Sequence, residues 1–384
     1  MDGMEHRKGR VANKADATVL ASQGIEFLIS AEGEVPLSSL NQKTVCLYFS
    51  GKWCRPCRTF TPQLVKHYNN LRLSGRKMEI VFVSFDRDEN GFEEHFEGMP
   101  WLAVPYNARK RLWEIFRVNS IPSLIPLGSN DEFVEDAVGL IDDYGVDAFP
   151  FTRKRREELK AMDDAMRDGG KLDDLLVQGG RDYVIGGDAR KVLVSELLGK
   201  TIGLYFGAHW CPPCRAFTSR LVEAYNELKI TKSRSFEVIF ISTDRNEEEF
   251  DLNISTMPWL AIPYNDKSRS DLSRIFKIKG IPTLVIIGPD GKLVSTNGKA
   301  MISSYGAEAF PFTTSRVIEV ETVIRIKGDG LPKQVKDTKH EHLLKLDMAK
   351  AYICDHCRKQ GRFWVFSCEK CDFDLHPGCI EKSW

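Results

Sequence analysis

The chain has 384 residues, a length that suggests two or three domains rather than one. Its 54 Lys and Arg balance 54 Asp and Glu, so the net charge is zero; this excludes a whole-chain basic field for gripping nucleic acid and an acidic tail of that scale. At 42% hydrophobic and 28% charged residues the composition is that of a globular protein, and no run approaches the length of a membrane-spanning helix.

Residues 1–13 carry charge with no apolar core behind them, so no secretory leader is expected. The closing Glu-Lys-Ser-Trp is no endoplasmic-reticulum retention signal. A cytoplasmic protein is expected. The first apolar run, residues 44–50, reads as a buried strand, and Cys46 within it as a core residue. Cys54 and Cys57 follow directly. Phe60, Leu64, Tyr68 and Leu71 then recur at helical spacing. Residues 79–85 read as a second strand. Ile121-Pro122 precedes a third, residues 123–127.

The order then repeats. Residues 48–71 (YFSGKWCRPCRTFTPQLVKHYNNL) return as residues 205–228 (YFGAHWCPPCRAFTSRLVEAYNEL), offset by 157. MPWLAVPYN at 99–107 returns as MPWLAIPYN at 257–265, and YGVDAFPFT at 144–152 as YGAEAFPFT at 305–313. The offset drifts only to 161, so a domain is duplicated. Buried runs alternating with amphipathic stretches predict β-α-β units with a parallel core. In the second copy the strands are 201–207, 236–243 and 283–287, and Pro289-Asp290-Gly291-Lys292 marks a hairpin turn. Residues 153–168 read as a charged connecting helix. Its Arg153-Lys154-Arg155-Arg156 run is taken as a solvated face, with a nuclear signal as the alternative. Residues 327–339 read as a polar linker. The domains are therefore expected at 17–165, 170–326 and 338–384.

The ten cysteines fall into groups: Cys46 stands alone, Cys54 with Cys57 and Cys211 with Cys214 form two Cys-x-x-Cys pairs, and the rest crowd into the last part of the chain. A Cys-x-x-Cys pair at a helix start suits thiol–disulfide exchange, because free backbone N–H groups and the helix dipole favour the first sulfur as a thiolate. That sulfur attacks a substrate disulfide, and the second cysteine resolves the mixed disulfide. Cys54 and Cys211 are the attacking cysteines; Cys57 and Cys214 resolve. Pro56 and Pro213 suit a first helical turn. The two pairs could share a four-cysteine zinc site instead, but each stands behind its own strand with no local partner ligands.

Trp-Cys-x-Pro-Cys after a strand and Ile-Pro before a later one resemble the thioredoxin superfamily. Tyr-Phe-x-x-x-Trp-Cys-x-Pro-Cys-Arg with Met-Pro-Trp-Leu-Ala-x-Pro-Tyr resembles its tryparedoxin and nucleoredoxin branch, and two such domains before a Cys/His module resemble plant nucleoredoxins. The resemblance spans nearly the whole chain. It implies an α/β protein of two tandem thioredoxin-like domains, each a central mixed sheet flanked by helices. It implies a protein-disulfide reductase with Cys54, Cys57, Cys211 and Cys214 catalytic, and with Trp53, Pro122, Trp210 and Pro282 positioning substrate, both prolines cis and facing the sulfurs. Thioredoxins carry a buried Asp six residues before the first cysteine; here Tyr48 and Tyr205 stand there. Asp86 and Asp244, ending the next strands, are the candidate proton acceptors, though exposed strand-end carboxylates are the preferred expectation.

The C-terminal spacing is Cys354-x2-Cys357-x10-Cys368-x2-Cys371-x4-His376-x2-Cys379, with His340 and His342 upstream. These are zinc ligands by type and spacing, and metal would supply folding energy that so short a segment lacks. The module resembles the plant divergent C1 module. By that likeness Cys354, Cys357, His376 and Cys379 hold one zinc ion, and Cys368, Cys371, His340 and His342 a second. A C1 module usually ends with one more cysteine than this chain has. A third redox centre is the alternative.

An enzyme acting on disulfide-containing client proteins is the leading expectation. A redox-regulated binding or scaffold protein is the alternative, and an oxidative foldase is disfavoured by the expected compartment. No Gly-x-Gly-x-x-Gly follows a strand, so no bound nucleotide is expected. Electrons would come from a small thiol or an external, NADPH-dependent reductase of the thioredoxin-reductase type. Neither a specific nucleic acid nor a membrane span is expected, and the nucleus is the alternative location.

Overall fold

The computed structural model describes residues 18–128, 132–231 and 235–380. Residues 1–13 and the closing four, read above for sorting signals, lie outside the described residues, as does residue 17. The chain divides into two units, Met1–Asp164 and Ala165–Trp384.

In the first unit α1 (Thr18–Ser22) leads into β1 (Phe27–Ser30) and β2 (Gly33–Pro36). Then come β3 (Thr44–Ser50), α2 (Arg55–Leu73), β4 (Met78–Ser84), α3 (Glu89–Phe96), β5 (Leu102–Ala103), α4 (Arg109–Phe116), β6 (Ser123–Pro126) and α5 (Val138–Tyr144), and α6 (Arg153–Gly169) contains the boundary at residues 164 and 165. Among the described residues these strands form a six-stranded sheet in the order β2-β1-β5-β4-β3-β6. β3, β4 and β5 run parallel, while β1, β2 and β6 are antiparallel to their neighbours. Helices cover both faces, so TVCLYFS and MEIVFVS are nearly continuous apolar runs rather than alternating ones. Tyr48 and Phe82 pack with Phe60, Leu64 and Tyr68 of α2 on one face. Leu47, Phe49, Val81 and Val83 pack with Leu112 of α4 on the other.

The second unit repeats this plan. Its elements are α7 (Leu172–Leu176), β7 (Tyr183–Gly186), β8 (Lys191–Leu193), β9 (Thr201–Gly207), α8 (Pro212–Thr231), β10 (Phe236–Ser242), α9 (Glu247–Ser255), β11 (Leu260–Ala261), α10 (Ser268–Ile275), β12 (Thr283–Ile287), β13 (Leu293–Ser295), α11 (Gly298–Tyr305) and α12 (Thr314–Asp329). The sheet order is β13-β12-β9-β10-β11-β7-β8. The turn at 289–292 joins antiparallel β12 and β13, with Gly291 at φ +81°. The N-terminal hairpins of both repeats went unread in the sequence, being short and partly exposed.

The rest of the second unit is an antiparallel sheet of β14 (Gln334–Lys336), β15 (Leu343–Ile353), β16 (Gln360–Cys368) and β17 (Phe373–Leu375). The expected linker 327–339 is therefore structured. It holds the end of α12 and an edge strand whose register pairs Val335 with Leu344.

Candidate active sites and metal centres

Cys54 is the N-cap of α2. The Cys57 N–H donates to its Sγ at 3.4 Å, one of the helix-start donors left without an intrahelical partner. The same sulfur lies 3.6 Å from the Ile121 carbonyl oxygen, and the Ile121–Pro122 bond is cis. Strand pairing of β3 with β6 sets this meeting, because Phe49 opposes Ser123. Cys54 and Cys57 are both buried, whereas Trp53 beside them is 54% exposed. Trp53 is nonetheless fixed, since its Nε1–H donates to the Phe85 carbonyl at 3.1 Å. Arg58 donates to the Lys52 carbonyl at 3.0 Å and tightens the same loop.

The second site is built alike. The Cys214 N–H donates to Cys211 Sγ at 3.3 Å, Ile281 packs against the buried cluster of Ala208, Cys211 and Cys214, and Ile281–Pro282 is cis. The exposed Trp210 donates to the Thr243 carbonyl at 3.4 Å and carries Arg245 over its ring. Burial pushes the Cys57 thiol up to about 11 and the Cys214 thiol up to about 12, with the neighbouring Cys54 and Cys211 sulfurs adding to it. Two further cis bonds, Phe149–Pro150 and Phe310–Pro311, had no signal in the sequence beyond their repetition.

Tyr48 and Tyr205 lie at the core of each site. The Tyr48 hydroxyl meets Thr61 Oγ1 at 2.7 Å, and Thr61 Oγ1 donates to the Cys57 carbonyl at 2.8 Å. Tyr205 and Thr218 repeat this toward Cys214. Burial holds the Tyr48 phenol at about 12, so a neutral group occupies the place of the usual carboxylate.

Asp86 and Asp244 correct the sequence reading. They are 3% and 5% exposed, not exposed strand ends. Asp86 Oδ1 accepts the Lys52 N–H at 2.7 Å, and Oδ2 accepts Ser84 Oγ–H at 2.8 Å and contacts His95 Nδ1 at 3.0 Å. Asp244 accepts the His209 N–H at 2.6 Å, Ser242 Oγ–H at 2.7 Å and Asn253 Nδ2–H at 3.3 Å. Each carboxylate anchors the loop two residues ahead of the first cysteine. The reason is local. Ser-x-Asp at 84–86 and 242–244 folds the carboxylate back onto its own serine, under the incoming loop.

The C-terminal module gathers two groups of four. Cys354, Cys357, His376 and Cys379 form one, and His340, His342, Cys368 and Cys371 the other; within each, the ligand atoms lie within 4.8 Å of one another. Tetrahedral zinc, with bonds of roughly 2.0–2.3 Å, needs that spacing. His340 Nε2 is buried without a hydrogen-bond partner, as a nitrogen kept for a cation would be. Burial alone would raise Cys354, yet backbone N–H groups of Cys357, His376 and His356 bring it down to about 7. Burial and the adjoining Cys357 and Cys354 sulfurs push Cys379 up to about 11, so these thiols cannot all ionise without a cation. The donor set and its spacing fit zinc.

A family model described as thioredoxin-like matches residues 41–133 and 199–293, and a C1 domain model matches residues 338–380. The chain is 59% identical to a probable nucleoredoxin 3 of Arabidopsis thaliana, over 95% of this chain and 94% of that one. It belongs to the nucleoredoxin family. A probable nucleoredoxin 3 of Oryza sativa subsp. japonica is 54% identical over 91% of this chain and 76% of its own length. Among solved structures, tryparedoxin II from C. fasciculata is 36% identical, covering 37% of this chain and 98% of that one at a TM-score of 0.35. As a nucleoredoxin the chain is a thioredoxin-type thiol oxidoreductase, with two thioredoxin-like domains and a C1-like module. Thioredoxin-like proteins act on disulfide clients. Among the described residues no helix is long and apolar enough to cross a membrane.

Proposed function

We propose that this nucleoredoxin reduces disulfides of client proteins by dithiol exchange at two independent sites. The observation that carries it is the placement of Cys54 Sγ between the Cys57 N–H and the Ile121 carbonyl beside Pro122, with the same cysteine arrangement at Cys211. Cys54 or Cys211, as thiolate, attacks one client sulfur and expels the other as a thiolate, forming a mixed disulfide. Cys57 or Cys214 then gives up its proton and attacks the first cysteine's sulfur. The client leaves with two thiols, and the enzyme keeps the disulfide and the two-electron debt. An external dithiol reductase, NADPH-dependent, clears it. Trp53 and Trp210 flank the reacting sulfurs, and Pro122 and Pro282 hold an extended client segment against them. Asp86 and Asp244 are committed to the loop backbone, so the departing client sulfur is the proton acceptor within reach.

In the C-terminal module Cys354, Cys357, His376 and Cys379 hold one zinc ion, and His340, His342, Cys368 and Cys371 a second. Zinc there supplies folding energy rather than redox chemistry. The protein works in a reducing compartment, the cytoplasm or nucleus.

Reduction of insulin disulfides tests the redox reading. Activity should fall in Cys54→Ser and in Cys211→Ser and vanish when both are changed. Full activity of the double variant sinks the assignment.

A further inference from the structure

The C1-like module lies on the second thioredoxin-like domain through three consecutive side chains of β16. Trp364 Nε1–H donates to the Ile324 carbonyl of α12 at 2.7 Å. Its indole fills the space a side chain at Gly328 would need. Glycine is a poor helix former, and here, in the last turn of α12, its missing side chain admits the ring. Phe363 stacks on Tyr305 with ring centres 6.3 Å apart. Arg362 pairs with Glu223 of α8 at 3.3 Å and occupies the space above Gly306, at φ +58°. Phe363 itself takes φ +71°, where the β15–β16 register shifts between Ala349 and Tyr352. A non-glycine residue in the left-handed region persists only when its surroundings impose it.

This surface is specific to the second repeat. Tyr144 and Gly145 correspond to Tyr305 and Gly306, and Arg155 and Arg316 each donate to the carbonyl of the matching residue, Asp147 or Glu308. At that offset of 161 Gly328 corresponds to Arg167, and at the offset of 157 that relates α8 to α2 Glu223 corresponds to Lys66. The first repeat thus has a long side chain where Trp364 enters and a cation where Arg362 needs a carboxylate.

The grip is tied to a metal cluster. The Tyr352 hydroxyl donates to the Trp364 carbonyl at 2.7 Å, and its ring lies 5.3 Å from that of His376. His376 and Trp364 line one cavity of about 490 Å³ with Val320 and Ile324 of α12.

We propose that the C1-like module is a dedicated clamp on the second thioredoxin-like domain, closed by metal at Cys354, Cys357, His376 and Cys379. Its metal dependence rests on the zinc reading above. Its specificity rests on Glu223 and Gly328 alone. The module therefore stabilises α12, and loss of metal frees it.

Hydrogen exchange of the full-length chain tests this. Peptides covering 305–329 should exchange about tenfold faster once metal analysis shows the zinc removed, while peptides covering 144–169 do not change. Gly328→Arg should speed exchange of 314–329 with zinc retained. Arginine is the better helix former, so faster exchange there reports lost docking rather than a weaker helix. Glu223→Lys should act likewise, and adding Arg362→Glu to it should restore protection. If Gly328→Arg and Glu223→Lys leave 305–329 unchanged, the clamp is refuted. If those variants act but demetallation does not, its control by metal is refuted. Purified protein without zinc would overturn both the zinc reading and the metal control, leaving the docking specificity to be judged by the variants.

Discussion

His95 Nδ1 lies 3.0 Å from Asp86 Oδ2, and both side chains are buried. The matching position of the second repeat is Asn253, which donates to Asp244. Imidazole and amide thus do the same work, keeping a buried carboxylate paired so that it can hold the backbone ahead of the first cysteine. His95→Asn should therefore be tolerated. His95→Ala removes one of two partners of a buried carboxylate oxygen, leaving Ser84 Oγ–H alone on Oδ2, and should cost about 1–3 kcal/mol. Exchange of β4 and α3 in the full chain measures this; equal protection in the Ala and Asn variants would show that the contact carries no weight.

The resolving thiols should behave as weak acids. Burial holds Cys57 near 11 and Cys214 near 12. In Cys54→Ser and Cys211→Ser backgrounds they should alkylate slowly at pH 7. The rate should climb about tenfold per pH unit to pH 9 without levelling, because the thiolate fraction does so below the pKa. Stability follows the same sign. A raised folded value contributes stability below the unfolded value of about 8.5, which is lost as pH rises toward 11. A plateau below pH 9 would contradict burial as the controlling cause.

Much of this could be read in the sequence. Both Cys-x-x-Cys pairs, the duplicated strands and the Cys/His spacing of the C-terminal module follow from short-range pattern, because a buried parallel strand is a continuous apolar run and a knuckle is a fixed spacing; the division of those cysteines and histidines into two clusters came only with the resemblance to the C1 module. What escaped depends on distant partners. Asp86 reads as a strand-end acid until α3 brings His95 and the loop brings the Lys52 N–H. Strand β14 reads as linker because Gln334 and Lys336 face solvent on an edge. The clamp needs Gly328 and Trp364, 36 residues apart, to be seen together.

The two pairs should differ in potential. Arg55, exposed next to Cys54, is a cation where the second pair has Pro212, and a cation beside the pair should favour its reduced form, which makes the first pair the stronger oxidant. Lys299 favours the Cys214 thiolate in the second and opposes the difference. Arg55 is next to the attacking cysteine in the chain, so its effect should prevail, at roughly 10–20 mV after screening. Titration against glutathione buffers, with the other pair changed to serine, reads each site. Arg55→Pro should make the first site more reducing, and Lys299→Val the second; an unmoved potential after Arg55→Pro refutes the charge argument.

Metal removal should be stepwise. Cys371 is exposed and His340 and His342 are partly so, whereas Cys354 is fully buried. Ligand exchange with a chelator starts at a donor that solvent can reach. The ion held by His340, His342, Cys368 and Cys371 should therefore leave first, and that held by Cys354, Cys357, His376 and Cys379 later. Purified protein should carry about two zinc ions per chain. Cys371→Ser should lower that toward one and abolish the fast phase of release, while Trp364 emission stays put. Cys354→Ser should instead abolish the slow phase and shift that emission, because His376 and Tyr352 link this cluster to the indole. One ion per chain would mark His340 and His342 as non-ligands, and zinc near zero with residues 340–379 still folded in chelator would remove the metal from the account altogether.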